Sequence, residues 1–117
     1  MSDPGALSAE DAKLVTLARA TRARTRAAEG AAVRDLDGRT YAAASVALAS
    51  LTLSALQVCV AMAVASGARG LEAGVLLSDG DGEVADADRA AVADLAGPGV
   101  PLHVGGPSGQ ILRTTTS

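Results

Sequence analysis

The side chains with the most reactive chemistry in this sequence are a single cysteine, Cys59, and a single histidine, His103. One thiolate and one imidazole make a poor ligand set for structural zinc, which takes four such ligands, and a lone cysteine cannot form an internal disulfide. Cys59 lies in an apolar stretch, where burial raises a thiol's pKa and leaves it inert, so we interpret it as a core residue. His103 has no recognisable nucleophile to activate, and we interpret it as a surface or hydrogen-bonded histidine.

Positive charge is concentrated near the start of the chain, at Arg19, Arg22, Arg24 and Arg26. With Lys13 these arginines stand out in a protein whose net charge is −3. The cluster could bind RNA, a phosphate group or an acidic protein. It could also be a solvated helix face whose side-chain stems cover apolar neighbours. Arg22 and Arg26 share a helical face, but Arg19 and Arg24 are spread around the helix, which favours the solvated face.

The apolar residues of the chain are small. Hydrophobic residues make up 49% of the sequence, yet there is no Phe, no Trp and one Tyr, Tyr41. A buried alanine contributes much less apolar area than a buried aromatic ring, so we expect a partner subunit to add stability. The length of 117 residues suits one domain. We assign residues 8–117 to that domain and residues 1–7 to a flexible leader.

The chain has no charged residue between Arg39 and Arg69. Such a stretch could cross a membrane, but it is rich in Ala and Ser and changes its apolar period midway, so we interpret it as a buried core. The first residues also lack the basic segment and apolar stretch of a secretory signal. These features predict a cytoplasmic protein with no membrane segment.

Apolar periodicity and turn residues predict eight elements in the order α-β-β-α-β-α-β-β. A helix begins after Ser8, a hairpin turns at Asp37-Gly38, and Asp86 or Asp88 caps the third helix. The predicted ranges, in chain order, are 9–23, 31–33, 40–48, 51–66, 71–77, a helix around 87–95, 101–104 and 110–113. Strands interleaved with helices predict an α/β fold, a three-layer α/β/α sandwich.

This order of elements resembles that of the cytidine deaminase family, and short sequence motifs agree with it. Gly30-Ala31-Ala32-Val33, followed by Asp37-Gly38-Arg39-Thr40-Tyr41, is similar to the family's opening hairpin, "VGAAL…DGRIF". The segment from Leu51 to Gln57, running into Ala63-Val64-Ala65-Ser66-Gly67, is similar to its core helix, "LTLCAER…AVSEG". The resemblance covers about residues 10–113 and implies a cytidine-deaminase-like fold with a mixed sheet.

The resemblance also implies where zinc chemistry would lie. Family enzymes hold Zn²⁺ with three thiolates, or a histidine and two thiolates, and a glutamate transfers protons for the attacking water. The first ligand and the glutamate match Ser54 and Leu56, and the second ligand pair matches Ala85 and Asp88. Serine is a poor zinc ligand and leucine carries no proton. We therefore expect no metal, no other cofactor and no catalytic residue of the family's kind.

The positions that match the family's substrate contacts have changed as well. The family's Asn-x-Glu-Asn word, which resembling enzymes use to hold the ribose, matches Ser45, Ala47 and Leu48. The aromatic residue that packs on the pyrimidine would fall near Ala27. None of these side chains can make the corresponding contact, so the resemblance leaves the substrate-binding residues unknown.

These observations favour a catalytically silent family member that acts as a binding or scaffold module. One alternative is a nucleoside (cytidine) deaminase of altered mechanism, and another is an RNA-associated module that uses the arginine-rich first helix. Expected partners are further copies of the chain, in a dimer or tetramer, and an unknown protein or RNA.

Overall fold

The structure of the chain, a computed structural model, describes residues 7–117. Within this range the chain forms three helices and seven strands. The helices are α1 (Ala9–Thr25), α2 (Ala55–Ala65) and α3 (Asp86–Ala96). The strands are β1 (Glu29–Asp35), β2 (Thr40–Ala44), β3 (Val46–Leu48), β4 (Leu51–Leu53), β5 (Leu71–Ser78), β6 (Pro101–Gly105) and β7 (Ile111–Thr116). Of the predicted leader, only Leu7 lies inside the described residues, and the domain boundaries stay a prediction.

Five of the strands form a mixed sheet in the order β2-β1-β5-β6-β7. β5 and β6 are parallel, and the other neighbouring pairs are antiparallel. On one face of the sheet, Leu14 and Ala18 of α1 share a core with Val75. On the other face, Leu56 of α2 and Val92 of α3 pack in a second core. The predicted three-layer α/β/α sandwich with a mixed sheet is confirmed.

The first helix lies directly against β1 at Gly30. A Cβ atom at this position would lie 2.4 Å from the carbonyl oxygen of Ala18 and 2.6 Å from Cβ of Arg22. Both distances are shorter than a van der Waals contact, and one of the two atoms belongs to a helix backbone that cannot rotate away. Glycine at this position therefore allows α1 to approach the sheet closely.

The segment between β2 and α2 differs from its prediction. A strand over 40–48 and a helix over 51–66 were expected, but β2 ends at Ala44 and β3 pairs with β4 as a separate hairpin. Ser45 ends the pairing with β1, because its N–H donates to Glu29 O (3.1 Å) and its Oγ accepts from Glu29 N (3.0 Å). Strands of three residues are too short to show a period of two, so the apolar pattern did not separate them from the helix that follows.

The uncharged stretch between Arg39 and Arg69 is therefore shared among a strand, a hairpin and a helix of 11 residues. No helix within residues 7–117 is long and apolar enough to cross a membrane. One side of this helix faces the core, and its outer side is exposed in the single chain. Leu56 and Cys59 are fully buried, whereas Val64 is 55% exposed, because within one chain α2 has the core on its inner side only.

Candidate functional site

The start of α2 is built around Ser54. The Oγ atom of Ser54 accepts a hydrogen bond from Gln57 N (3.1 Å), and the Gln57 side chain accepts one from Ser54 N (2.9 Å). This reciprocal pair is a capping box, which satisfies two backbone N–H groups that the first helical turn leaves without partners. The motif Ser-x-x-Gln is a sequence signal for the start of a helix. It places the start of α2 at Ala55, whereas the apolar pattern placed it at Leu51.

The same serine hydroxyl connects α2 to α3. Ser54 Oγ donates to Asp88 Oδ1 at 2.6 Å, and the Asp88 residue is only 4% exposed. The sequence offered Asp86 or Asp88 as the cap of α3. Instead, the N-cap of α3 is Ala85, which has no capping side chain, and Asp88 is the third residue of the helix, where its carboxylate accepts from Ser54. The structure thus brings together two of the four positions that resemble the zinc site.

The other two of these positions carry no polar side chain. Leu56 is fully buried and packs in the apolar core between α2, α3 and the sheet. Ala85 is exposed at the N-terminus of α3. Neither side chain can bind a cation or transfer a proton. Among residues 7–117 there is no cluster of three or more His, Cys, Asp or Glu side chains with the spacing of a metal site.

Glu29 is a site residue that the sequence did not reveal. Its carboxylate Oε1 accepts a hydrogen bond from Ala55 N at 3.1 Å, so it satisfies a backbone N–H in the first turn of α2. Its backbone is held by the two hydrogen bonds with Ser45 described above. A single glutamate at the beginning of a strand has no local signature, and only the fold brings it to the start of a helix that is distant in sequence.

The positions that match the family's substrate contacts lie at a different place. An open cleft of about 610 Å³ has Ala27, Ser45 and Ala47 in its wall, together with Val58 and Met62 of α2. Leu48 is not part of the wall and is 64% exposed in the separate hairpin. The cleft wall is mainly apolar, with alanines predominating. The cleft is not lined by any of the four positions that match the family's zinc site.

The four arginines of the first helix do not form one patch. Arg22 is half-buried, where its Nε donates to Ala28 O (3.4 Å) and its Nη2 lies 3.6 Å from Asp79. The helix ends at Thr25, and Arg26 has a left-handed φ of 56°. The prediction that Arg22 and Arg26 share a helical face is therefore wrong, since the chain has already left the helix at Arg26. Arg19 and Arg24 are exposed on α1.

The one thiol of the chain is inert. Cys59 is fully buried on the inner side of α2, and its Sγ lies 3.5 Å from the carbonyl oxygen of Tyr41. Burial raises the pKa of this thiol to about 12. The thiolate, which is the form that binds metals and attacks electrophiles, is not populated near neutral pH. The interpretation of Cys59 as a core residue is confirmed.

The histidine belongs to a polar cluster on the α1 side of the sheet. Its Nε2 lies 2.8 Å from Asp11 Oδ2 and its Nδ1 lies 2.8 Å from Thr114 Oγ1. Arg34 Nη2 donates to Asp11 Oδ1 at 2.9 Å. Burial acts to raise the pKa of Asp11, but the hydrogen bonds with His103 and Arg34 outweigh it and lower that pKa. His103 is thus hydrogen-bonded through both ring nitrogens, as one of its two interpretations expected.

Comparison with known proteins gives a family and a set of similar folds. The family described as cytidine deaminase-like matches residues 7–109. The structure of cytidine deaminase from Burkholderia pseudomallei, solved at 1.6 Å, is similar with a TM-score of 0.78 and 23% sequence identity. The match covers 94% of this chain and 93% of the Burkholderia chain. Cytidine deaminase from Mycobacterium leprae is 22% identical, has a TM-score of 0.71 and covers 94% of each chain. No curated protein matches the sequence. At these identities the structural likeness concerns the fold.

Proposed function

Because this chain belongs to the cytidine deaminase-like family, we propose that it is a member without deaminase activity that acts as a binding or scaffold module. The observation that carries the proposal is the burial of Leu56. This residue stands where the resemblance implies the catalytic glutamate, and its side chain is part of the apolar core instead. A glutamate would have to be accessible to water and substrate in order to transfer protons.

The side-chain atoms available to bind zinc also support the absence of deaminase activity. Of the three positions that resemble zinc ligands, Ala85 has no donor atom, and Ser54 and Asp88 are hydrogen-bonded to each other at 2.6 Å. Catalytic zinc in proteins is held by three side chains from the set Cys, His, Asp and Glu. One carboxylate with a neutral hydroxyl does not fit that requirement, so these residues do not provide a catalytic zinc site.

Zinc content and deamination, measured on the same preparation, test the proposal. We expect less than stoichiometric zinc by mass spectrometry and no uridine or deoxyuridine from cytidine or deoxycytidine. The cytidine deaminase of Burkholderia pseudomallei, prepared in the same way, is the positive control. One tightly held Zn²⁺ per chain, or turnover of either nucleoside, would contradict the proposal and favour a deaminase of altered mechanism.

The module is proposed to assemble with copies of itself. The hairpin β3–β4 exposes Leu48 (64%) and Leu51 (47%), and α2 exposes Val64 (55%). All three belong to the stretch without charges between Arg39 and Arg69, so these side chains bring no like charges into the contact. An isolated two-stranded hairpin is also marginally stable in water. Contact with a second copy would stabilise it and cover the apolar side chains.

RNA binding is the second candidate, and the exposure of Arg19, Arg24 and Arg26 favours it. If arginines contact phosphates, the affinity for RNA falls steeply as salt increases, because binding releases counterions. A gel-shift titration with single-stranded RNA at two salt concentrations measures this. A double substitution, Arg19→Gln with Arg24→Gln, should weaken binding, whereas Arg69→Gln, which lies outside α1, should not.

A further inference from the structure

Two helix N-termini and the beginning of a strand meet at Ser54, Asp88 and Glu29. We propose that these three side chains form a clamp that holds α2, α3 and β1 together, with Ser54 and Asp88 at positions that the resemblance matches to zinc ligands of the family. Ser54 joins the two helices by its hydrogen bond to Asp88, and Glu29 joins β1 to α2 by accepting from Ala55 N. The inference rests on the proposed loss of the zinc site, but its tests are separate.

The chemistry of the three side chains suits this role. The N-terminus of a helix carries partial positive charge and N–H groups without helical partners. Asp88 brings a carboxylate to the first turn of α3, and Glu29 brings one to the first turn of α2. Ser54 Oγ accepts from Gln57 N and donates to Asp88, so one hydroxyl serves both helices. A buried carboxylate such as Asp88 is tolerated because it has this partner.

The positions within the helices relate the clamp to the zinc ligands that the resemblance implies. Ser54 is the N-cap of α2, and Ala85 and Asp88 are the N-cap and third residue of α3. Side chains at the N-cap and third position of one helix lie beside each other, as capping boxes demonstrate. The hydrogen bond from Ser54 to Asp88 brings the N-cap of α2 to the third residue of α3, and Ala85 is the N-cap of the same helix α3.

The first test compares two aspartates in the same turn of α3. Asp88→Ala removes the clamp, and we expect it to raise the unfolding equilibrium constant more than about tenfold, the usual loss for a hydrogen bond to a charged group. Asp86→Ala removes an exposed carboxylate at the same helix end and should change that constant by less than about fivefold. Equal effects of the two substitutions, measured by urea unfolding, would overturn the clamp.

A double-mutant cycle measures the link itself. Each single substitution, Ser54→Ala or Asp88→Ala, should raise the unfolding equilibrium constant by some factor. If the two residues act as a pair, the double variant should raise that constant by less than the product of the two factors, because the second substitution removes an interaction that is already lost. Independent effects that multiply would overturn the clamp.

The second test rebuilds the metal position. The variant Ser54→Cys, Ala85→Cys, Asp88→Cys should bind one zinc ion per chain when zinc chloride is added, and its melting temperature should rise. Wild-type protein and the single variant Ser54→Cys should show no such rise. A folded triple variant that binds no zinc would overturn the assignment of the clamp to the metal position. Zinc in the wild-type protein would instead contradict the proposed function.

Discussion

Asp35 organises the turn between β1 and β2 through three hydrogen bonds. Its Oδ1 accepts from Asp37 N (2.9 Å) and Arg39 N (3.0 Å), and its Oδ2 accepts from Tyr41 Oη (2.8 Å). Asp35→Ala leaves these donors unpaired, so we predict a clearly lower urea midpoint. Asp37→Ala, which removes an exposed carboxylate from the same turn, is the matched control and should leave the midpoint unchanged. Similar decreases of the urea midpoint in both variants would contradict the prediction, because they would mean that the three donors do not need the Asp35 carboxylate.

The buried carboxylate of Asp35 and the half-buried one of Asp11 give the protein a defined acid sensitivity. Burial acts to raise the pKa values of Asp35 and Asp11, but hydrogen bonds outweigh it and lower both. A carboxyl group with a lower pKa in the folded state stabilises the fold above its unfolded pKa of about 3.9, and this contribution is lost as the pH falls through the folded pKa. We therefore predict that the free energy of unfolding falls with pH below about 4. Asp11→Asn should flatten this dependence, and an unchanged slope would contradict the assignment.

At the scale of elements, the contact between α1 and β1 depends on Gly30. A methyl group at this position would overlap the Ala18 carbonyl oxygen and Arg22 Cβ. Since overpacking typically costs 1–3 kcal/mol, we predict that Gly30→Ala destabilises the fold by about 2 kcal/mol in urea unfolding. Gly106→Ala is the control, because a Cβ there has no heavy atom within 4 Å, and its effect should be below about 0.5 kcal/mol. Equal stability of the two variants would mean that the helix can move away from the strand.

At the scale of the whole molecule, the exposed surface of α2 and the hairpin predicts self-association. Light scattering at micromolar concentration should give a multiple of the chain mass of 11.5 kDa. Val64→Glu places a charge on the proposed interface and should shift the mass toward the monomer, since burying an unpaired charge is costly. Leu112→Glu, at a side chain that is 59% exposed on β7, should leave the assembly intact. A wild-type mass of one chain would contradict the proposal, and sensitivity to the Leu112 substitution alone would place the interface elsewhere.

Local patterns predicted most elements correctly because the forces that define them act over a few residues. Ser8 accepts from Asp11 N and caps α1, and the chain turns at Gly38 with a φ of 85°. The hairpin β3–β4 was missed because its strands pair only with each other, so no buried face imposed an alternating pattern on them. The start of α2 is marked by the capping box at Ser54 and not by the beginning of the apolar stretch at Leu51.

The sequence by itself determined the layered fold and the resemblance to the cytidine deaminase family, because element order and short motifs carry that information. The match of four positions to that family's zinc site stays a prediction. Only the tertiary structure decided what the side chains at those positions contact. The hydrogen bond from Ser54 to Asp88 spans 34 residues and that from Ala55 to Glu29 spans 26 residues. Partners so far apart in sequence meet only when the sheet has brought the helix N-termini together, and no pattern along the chain encodes that meeting.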